Sequence, residues 1–416
     1  MTMIEEFQKL YDSKEDKGFL EKKAWEYFSK IGLPTKKSEA FRYTSFKELY
    51  TSEWTLPNPL ESIKVDQSAL VFINGVFRKD LSCIPESVVT LTIREAHHFY
   101  KSLIVRKSEE NFELEENPFV FLNQALTEEG VFLYLPPDRK IIQPLCFLFV
   151  QTQPKVISSP RIELFIGKNS QLTTQSTYLQ QFSDSPQYWT NGTFHISLEE
   201  NAQHFHLEDT SGIKSGWGFQ SVRSFLKKKS QFNSFSFFCG NSKFRQDLYV
   251  NILGEEAEVD LKGLRLASDK GQIHDHIFVQ HQSPNSFSNQ HFKTVVAQNA
   301  RASFFGEIYV TQKAQQTDAY QLNNNLLLGE KSNAISQPSL EIFADDVKAS
   351  HGATCSKPNK DELFYLRARG LNITEAIKQI TKGFCLDFLE QIFIPNLRLQ
   401  MEKRVEKFLD QEKLDE

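Results

Sequence analysis

Apolar residues recur with three successive periods along the chain. Near the N-terminus the period is helical. Ile4, Phe7, Leu10 and Tyr11 fall on one face, and Leu20, Ala24, Tyr27 and Ile31 form a second stripe. Gly32-Leu33-Pro34 stops that second helix. Pro57 and Pro59 give Thr51–Val65 the character of a linker. From about residue 70 to 350 the period falls to two. Arg161–Ile166, Thr193–Leu198, Asp247–Leu253 and Arg301–Val310 are short alternating runs bounded by Gly, Asn, Ser or charged pairs. One helix is expected inside this region, near Pro118–Thr127. After Lys357-Pro358 the helical period returns. Asn359-Lys360-Asp361-Glu362 and Asn372-Ile373-Thr374-Glu375 read as N-terminal caps, and Gly370 as a stop. Ile377, Ile380, Phe384, Phe388 and Ile392 make an apolar stripe, and residues 398–416 a charged amphipathic tail. The expected organisation is a helical unit over 1–65, a mainly β core over 66–356 and a second helical unit over 357–416.

A looser repeat lies within the core. Ile166-Gly-Lys-Asn-Ser170, Leu198-Glu-Glu-Asn-Ala202, Leu253-Gly-Glu-Glu-Ala257, Val296-Ala-Gln-Asn-Ala300 and Leu328-Gly-Glu-Lys-Ser332 share one form. An apolar residue leads, polar residues follow, and Ala or Ser closes. The intervals are unequal, so the repeat is read as one corner geometry used again and again. A small closing residue lets coils stack closely, as a β-helix requires. Asn323-Asn324-Asn325 followed by Leu326-Leu327-Leu328 fits the same reading, with asparagines laddered at a coil turn and leucines inside. An ordinary β-sandwich with similar turns is the alternative.

Composition narrows the function classes. The chain has 416 residues, of which 36 are phenylalanine, so a large dry interior or interface is expected. Its net charge of -5 argues against a nucleic-acid partner, and Lys227-Lys228-Lys229 reads as a solvated turn. The apolar runs, such as Leu145–Val150, are too short to span a bilayer. The acidic start, Met-Thr-Met-Ile-Glu-Glu-Phe, reads as neither secretory nor organellar, so a cytoplasmic location is expected. Cys83, Cys146, Cys239, Cys355 and Cys385 are far apart and form no C-x-x-C. They read as reduced thiols, mostly buried. P-loop, G-x-S-x-G, H-E-x-x-H and dinucleotide fingerprints are absent from the sequence.

The histidines carry the candidate chemistry. His204 and His206, like His274 and His276, stand two apart and share one strand face. With His281 and His291 nearby, His274, His276 and His281 form a candidate metal face, weighed against a hydrogen-bonded polar ladder. His351 stands apart in Ser350-His351-Gly352-Ala353-Thr354, where the strands end, with Cys355 four residues on. Imidazole and thiolate are both competent iron ligands, and one histidine needs further ligands from a partner. A histidine merely hydrogen-bonded at a strand end is the competing reading.

Several stretches together resemble the SufB/SufD family of iron–sulfur cluster assembly scaffolds. They are Gln316-Thr317-Asp318 through Asn325-Leu326-Leu327-Leu328, Pro338-Ser339-Leu340-Glu341-Ile342, Ala344-Asp345-Asp346-Val347-Lys348 and Ser350–Thr354. Phe364-Tyr365-Leu366-Arg367-Ala368-Arg369-Gly370 and, at the front, Leu33-Pro34-Thr35-Lys36-Lys37 to Phe41-Arg42-Tyr43-Thr44 add to them. SufB chains typically have cysteines around the leucine-rich strand, where this chain has Asn323 and Ser332. They also have glutamates flanking the histidine, where it has Ser350 and Gly352. Both differences favour the SufD branch. Ala349 stands where SufD chains often have cysteine, and Phe41 where the family usually has tryptophan.

The resemblance implies a right-handed parallel β-helix core flanked by N-terminal and C-terminal helical domains. It implies a non-catalytic scaffold that pairs with a SufB paralogue and with the SufC ATPase. Iron or a nascent iron–sulfur cluster would be held transiently at the SufB interface, none by the chain alone. His351 is the candidate ligand and Cys355 an auxiliary thiol. Tyr365, Leu366 and Arg369 are candidates for docking SufC. The rival readings are a β-helix carbohydrate-active enzyme or acyltransferase, and a homodimer that stores iron.

Overall fold

The computed structural model describes residues 3–35, 37–58, 69–101, 104, 115–182, 187–392 and 394–411. The linker reading from Pro59 onward and the tail beyond Gln411 lie outside the described residues. The expected helices at the front form as α1 (Met3–Asp12), α2 (Phe19–Ile31) and a short α3 (Lys47–Thr51). Gly32, at a positive φ of 74°, ends α2. Two more helices follow, α4 (Ile93–Phe99) and α5 (Pro118–Leu126), the latter as expected. Asn117 caps α5 through the Phe119 N–H, and Pro118 occupies its first turn.

The rest of the core is two stacked sheets of ten strands each, parallel except for one antiparallel pair at the first end of each. Sheet I contains β1 (Leu70–Ile73), β2 (Val76–Phe77), β5 (Lys140–Gln151), β8 (Gln171–Gln180), β10 (Gln203–Asp209) and β12 (Gln231–Gly240). It continues through β14 (Glu258–Ala267), β16 (Phe287–Val296), β18 (Thr317–Leu327) and β20 (Val347–Ser356). Sheet II contains β3 (Val89–Thr92), β4 (Val131–Leu135), β6 (Ile157–Ser158), β7 (Arg161–Ile166), β9 (Tyr188–Leu198) and β11 (Gly216–Leu226). It continues through β13 (Lys243–Ile252), β15 (Gln272–His281), β17 (Arg301–Val310) and β19 (Asn333–Ile342). The chain alternates between the sheets, each strand pairing in parallel with the one a coil earlier, so the core is a β-solenoid of about 8 turns. The expected parallel β-helix with helices at both ends is what forms, and not a sandwich.

The corners explain the loose repeat. Where sheet II hands over to sheet I, one residue takes a left-handed conformation: Asn169, Asn201, Lys229, Glu256, Asn285 and Gln316, with φ between 56° and 59°. That conformation costs a non-glycine residue about 1–2 kcal/mol. A hydrogen bond along the stack offsets it: Asn169 N–H donates to Glu200 O, Asn201 to Lys228 O and Lys229 to Glu255 O. The next residue is small and buried: Ser170, Ala202, Ser230, Ala257, Ser286 and Thr317. The lysine run Lys227–Lys229 is one of these corners, with exposed ion pairs to Glu199, Glu255 and Glu256. Only three of the five pentads lie on this edge. Val296–Ala300 and Leu328–Ser332 lie at the opposite edge, where sheet I hands over to sheet II, so two corner families share one pattern. The asparagine run is also reassigned. Asn323, Asn324 and Asn325 lie within β18, not at a turn, because the strand runs unbroken to Leu327.

The phenylalanine excess has three destinations. Between the sheets lie Phe72, Phe147, Phe194, Phe232, Phe292 and Phe304 with Leu, Ile and Val neighbours. On the outer face of sheet II, α1, α2 and α5 pack Phe7, Phe28 and Phe119 against Trp189, Trp217 and Phe219. On the outer face of sheet I, the C-terminal helices α7 (Ile373–Leu389) and α8 (Pro395–Gln411) cover Phe235, Phe237, Leu264 and Leu266. The buried face of α7 is Ala376, Thr381, Cys385, Phe388 and Leu389. Of the predicted stripe Phe388 and Ile392 are buried, while Ile377, Ile380 and Phe384 are half-buried beside that face. The Asn372–Glu375 capping box starts α7 as expected. No helix among the described residues is long and apolar enough to cross a membrane.

Candidate metal-ligand site at the open end of the solenoid

The two ends of the stack differ. At the first end, β1 turns back antiparallel onto β2, and β3 pairs antiparallel with β4. At the last, β19 and β20 are the outermost strands of their sheets, with one edge unpaired among the described residues. β19 is at best half-buried along its length, and most of β20 is exposed. Unpaired strand edges are templates for pairing with another chain.

Register decides which side chains line this mouth. Side chains of paired residues in parallel strands point to the same face. Val347, Ala349, His351, Ala353 and Cys355 pair with Thr317, Ala319, Gln321, Asn323 and Asn325, all buried and inward-facing. Val347 and Ala349 pack with Ile308, Val310 and Ala319 in the last interior layer. His351 therefore lies on the interior face of the final coil and is exposed there because no coil follows. Cys355 shares that face, but four strand residues separate the two Cα atoms by about 13 Å. Two ligands of one ion sit about 2.0–2.3 Å from it, so these two cannot hold the same ion. Cys355 Sγ lies 3.8 Å from Ala334 O, and partial burial raises its thiol pKa, which disfavours the thiolate. Among the described residues, no three His, Cys, Asp or Glu side chains converge as a metal set.

The other histidines take structural places. His204 and His206 bracket Thr174 Oγ1 at 2.9 and 2.8 Å inside the solenoid. Burial holds His206 down to about 4 and His204 well below its usual value. His274, His276 and His281 do not form one face. The first two point outward from β15, whereas His281 points inward and is bonded to Ser286 and Ser288. His274 Nδ1 lies 2.7 Å from Ser303 Oγ, and burial lowers its pKa to about 3. His276 sits between Asp247 Oδ1 at 3.0 Å and Glu307 Oε1 at 2.8 Å, stacked on Phe305. Burial opposes its charged form, but the two carboxylates outweigh burial and raise its pKa. Asp247 also takes two hydrogen bonds from Arg245, whose guanidinium lies over Phe41 and bonds Thr44. This anchors the front segment to sheet II. His291 bonds Asn324 and meets the edge of Phe388 under α7.

Inside the stack runs a polar chain that strand periodicity did not reveal. Tyr178 Oη lies 3.4 Å from Glu208, Gln246 Nε2 donates to Glu208 at 2.8 Å, and Arg265 donates to Gln246, Ser236 and Asp275. Gln290, Gln321 and His351 make a second polar column at the mouth, Gln321 Nε2 donating to Gln290 Oε1 at 2.7 Å. The available signal was a polar residue at alternate positions of one strand: Gln321, Asn323 and Asn325.

Of the predicted docking residues, Tyr365 and Leu366 lie beyond β20 on α6 (Lys360–Ala368), which has no buried residue, and Arg369 is its C-cap. Tyr365 is exposed, Leu366 half-buried, and the Arg369 guanidinium lies 4.5 Å from the Tyr365 ring centre. Phe364 is 75% exposed.

Two family models match the chain. Residues 149–384 match the SufBD core domain of SUF system FeS cluster assembly, and residues 7–146 match the SufBD protein N-terminal region. The chain is 29% identical over 394 residues to an iron–sulfur cluster assembly SufBD family protein of Synechocystis, covering 88% of this chain and 86% of that one. It is 25% identical over 391 residues to the iron–sulfur cluster assembly protein SufD of Escherichia coli, covering 90% and 89%. Over 298 residues it is 26% identical to the chloroplastic protein ABCI7 of Arabidopsis thaliana, covering 69% and 61%. The chain belongs to the SufB/SufD family of the SUF iron–sulfur cluster assembly system, in its SufD branch.

Proposed function

We propose that this chain is a non-catalytic scaffold subunit that pairs with a SufB-type paralogue through its open end. The observation that carries the reading is the uncovered last coil, with His351 on its interior face. A partner presenting a similar unpaired edge would continue both sheets by strand addition. Iron or a nascent cluster, as cargo, would then be held at the junction. There His351 supplies one ligand through a ring nitrogen and the partner supplies the others. The surface of α6 and its C-cap, with exposed Phe364, Tyr365 and Arg369 and half-buried Leu366, is the docking surface for an ATPase of the SufC type. The chain carries no P-loop of its own. We assign the complex to the cytoplasm.

Hydrogen exchange tests the pairing. The amides of β19 and β20 that face the unpaired edge should exchange fast in the isolated chain and become protected when the SufB-type paralogue is added. Unchanged exchange in both strands, with the partner bound elsewhere, would refute it. Removing residues 358–416 should abolish ATPase binding while pairing persists.

A further inference from the structure

The polar column at the mouth contains an acceptor that no described residue uses. Gln321 is 3% exposed, and its Nε2 donates to Gln290 Oε1 at 2.7 Å. That bond fixes the amide, and its Oε1 is buried without a partner among the described residues. Buried polar atoms are nearly always satisfied, and an exception asks for an explanation. The strand facing Gln321 across the interior, β17 of sheet II, adds a second observation. A Cβ on Gly306 would fall 2.1 Å from Gln321 Nε2, so the glycine makes the room in which this amide lies. The next residue in register above Gln321 on the same face is His351. No bond joins the two, since Gln321 Oε1 has no partner.

We infer that Gln321 is a positioning residue for His351: its Oε1 accepts the ring N–H of His351 once a partner covers the mouth. The inference rests on the reading of His351 as an iron ligand. A neutral imidazole has one N–H and one lone pair, and the group that accepts the N–H decides which nitrogen is left for metal. Gln321 then holds one tautomer and one ring orientation, and Gln290 holds Gln321. The relay consists of three side chains from β16, β18 and β20, stacked one coil apart. Gln321 touches neither iron nor sulfide in this account and acts only through His351.

The test uses the assembled complex purified from the chain's own cells, with this chain labelled with nitrogen-15 histidine and His351→Ala used for assignment. Zinc serves as the diamagnetic probe, and anaerobic ferrous iron titration gives affinity. The wild-type complex should show a His351 ring N–H protected from solvent exchange. Gln321→Met should lose that protection and weaken iron binding about ten- to a hundredfold, as loss of such outer partners does. Gln321→Glu keeps an acceptor for the ring N–H but loses the donor to Gln290 Oε1, so it should recover protection and affinity only in part. A His351 ring N–H that exchanges freely in the wild type overturns the inference without any variant. It is also overturned if Gln321→Met binds iron as the wild type does while His351→Ala does not. If His351→Ala itself binds iron normally, the ligand reading falls, and this inference with it.

Discussion

Glu208 is a carboxyl group in the wrong solvent, and replacing it should stabilise the protein. It is fully buried between the sheets. Burial raises its pKa to about 7, against opposing contributions from Arg265, Tyr178 and Gln246. Arg265 cannot neutralise it fully because it also pairs with Asp275 at 2.9 Å. The ordinary value is 4.5, so the shift is about 2.5 units, and at about 1.4 kcal/mol per unit it is worth roughly 3 kcal/mol. The sign follows from linkage. Below pH 4.5 both folded and unfolded states hold the proton, and the group is neutral in effect. Between pH 4.5 and 7 the unfolded state releases it while the folded state keeps it, so stability falls as pH rises; above pH 7 the loss is complete. Glu208→Gln keeps the shape. Its carbonyl can accept from Gln246 Nε2, and its amide can donate to Tyr178 Oη. The variant should therefore be more stable than wild type by roughly 3 kcal/mol at pH 8, with the difference vanishing near pH 4.5. Urea unfolding of both proteins from pH 5 to 8 measures it. A difference that does not change with pH, or a variant that is less stable at pH 8, would refute the argument.

Three further outcomes follow from the packing. His276 has a raised pKa, so its stabilisation is fully present below its unfolded value near 6.5 and is lost as pH rises through the folded one. His276→Gln should be most destabilised relative to wild type at pH 6 and least at high pH, as read by melting temperature. Phe388→Ala removes a buried ring 5.5 Å from Phe235 and beside His291, which should cost about 3–5 kcal/mol. The C-terminal helices should then become sensitive to limited proteolysis before the solenoid does. Phe364→Ala with Tyr365→Ala changes only exposed rings and should shift stability by less than about 0.5 kcal/mol per site. The same pair should abolish ATPase binding in a pull-down, and retained binding would remove α6 from the docking surface.

Strand periodicity was legible because inward and outward positions alternate on a two-residue period through β15, β17 and β18. The same rule, applied to one unbroken strand, separates His281 from His274 and His276, since odd and even positions face apart. The corners were legible as a pattern but not as two edges. Leu226–Ser230 fits the pentad but carries three lysines in its middle, and without it the pattern skips a coil between Leu198 and Leu253. On α7 the large residues at 377 and 380 drew the predicted stripe aside. The helix meets sheet I through Ala376, Thr381 and Cys385, small residues that allow close approach. The ion pairs within the solenoid were illegible. Arg265 and Asp275 are 10 positions apart, on different sheets, and only the coil geometry brings them together. His351 reads in the sequence as a histidine where the strands end, whereas it lies in the middle of β20, which runs on to Ser356. Its place on the interior face of an uncovered coil required the register.

The central claim is that the open coil joins a paralogous scaffold and that His351 works at that junction. The most direct measurement is purification of the tagged chain from its own cells, with iron, sulfide and ATPase activity determined for wild type and His351→Ala. The account predicts that a SufB-type paralogue and a SufC-type ATPase accompany both forms, with iron and sulfide present in wild type and lost in the variant. A chain that emerges alone, or a variant complex with its full iron and sulfide, would contradict it.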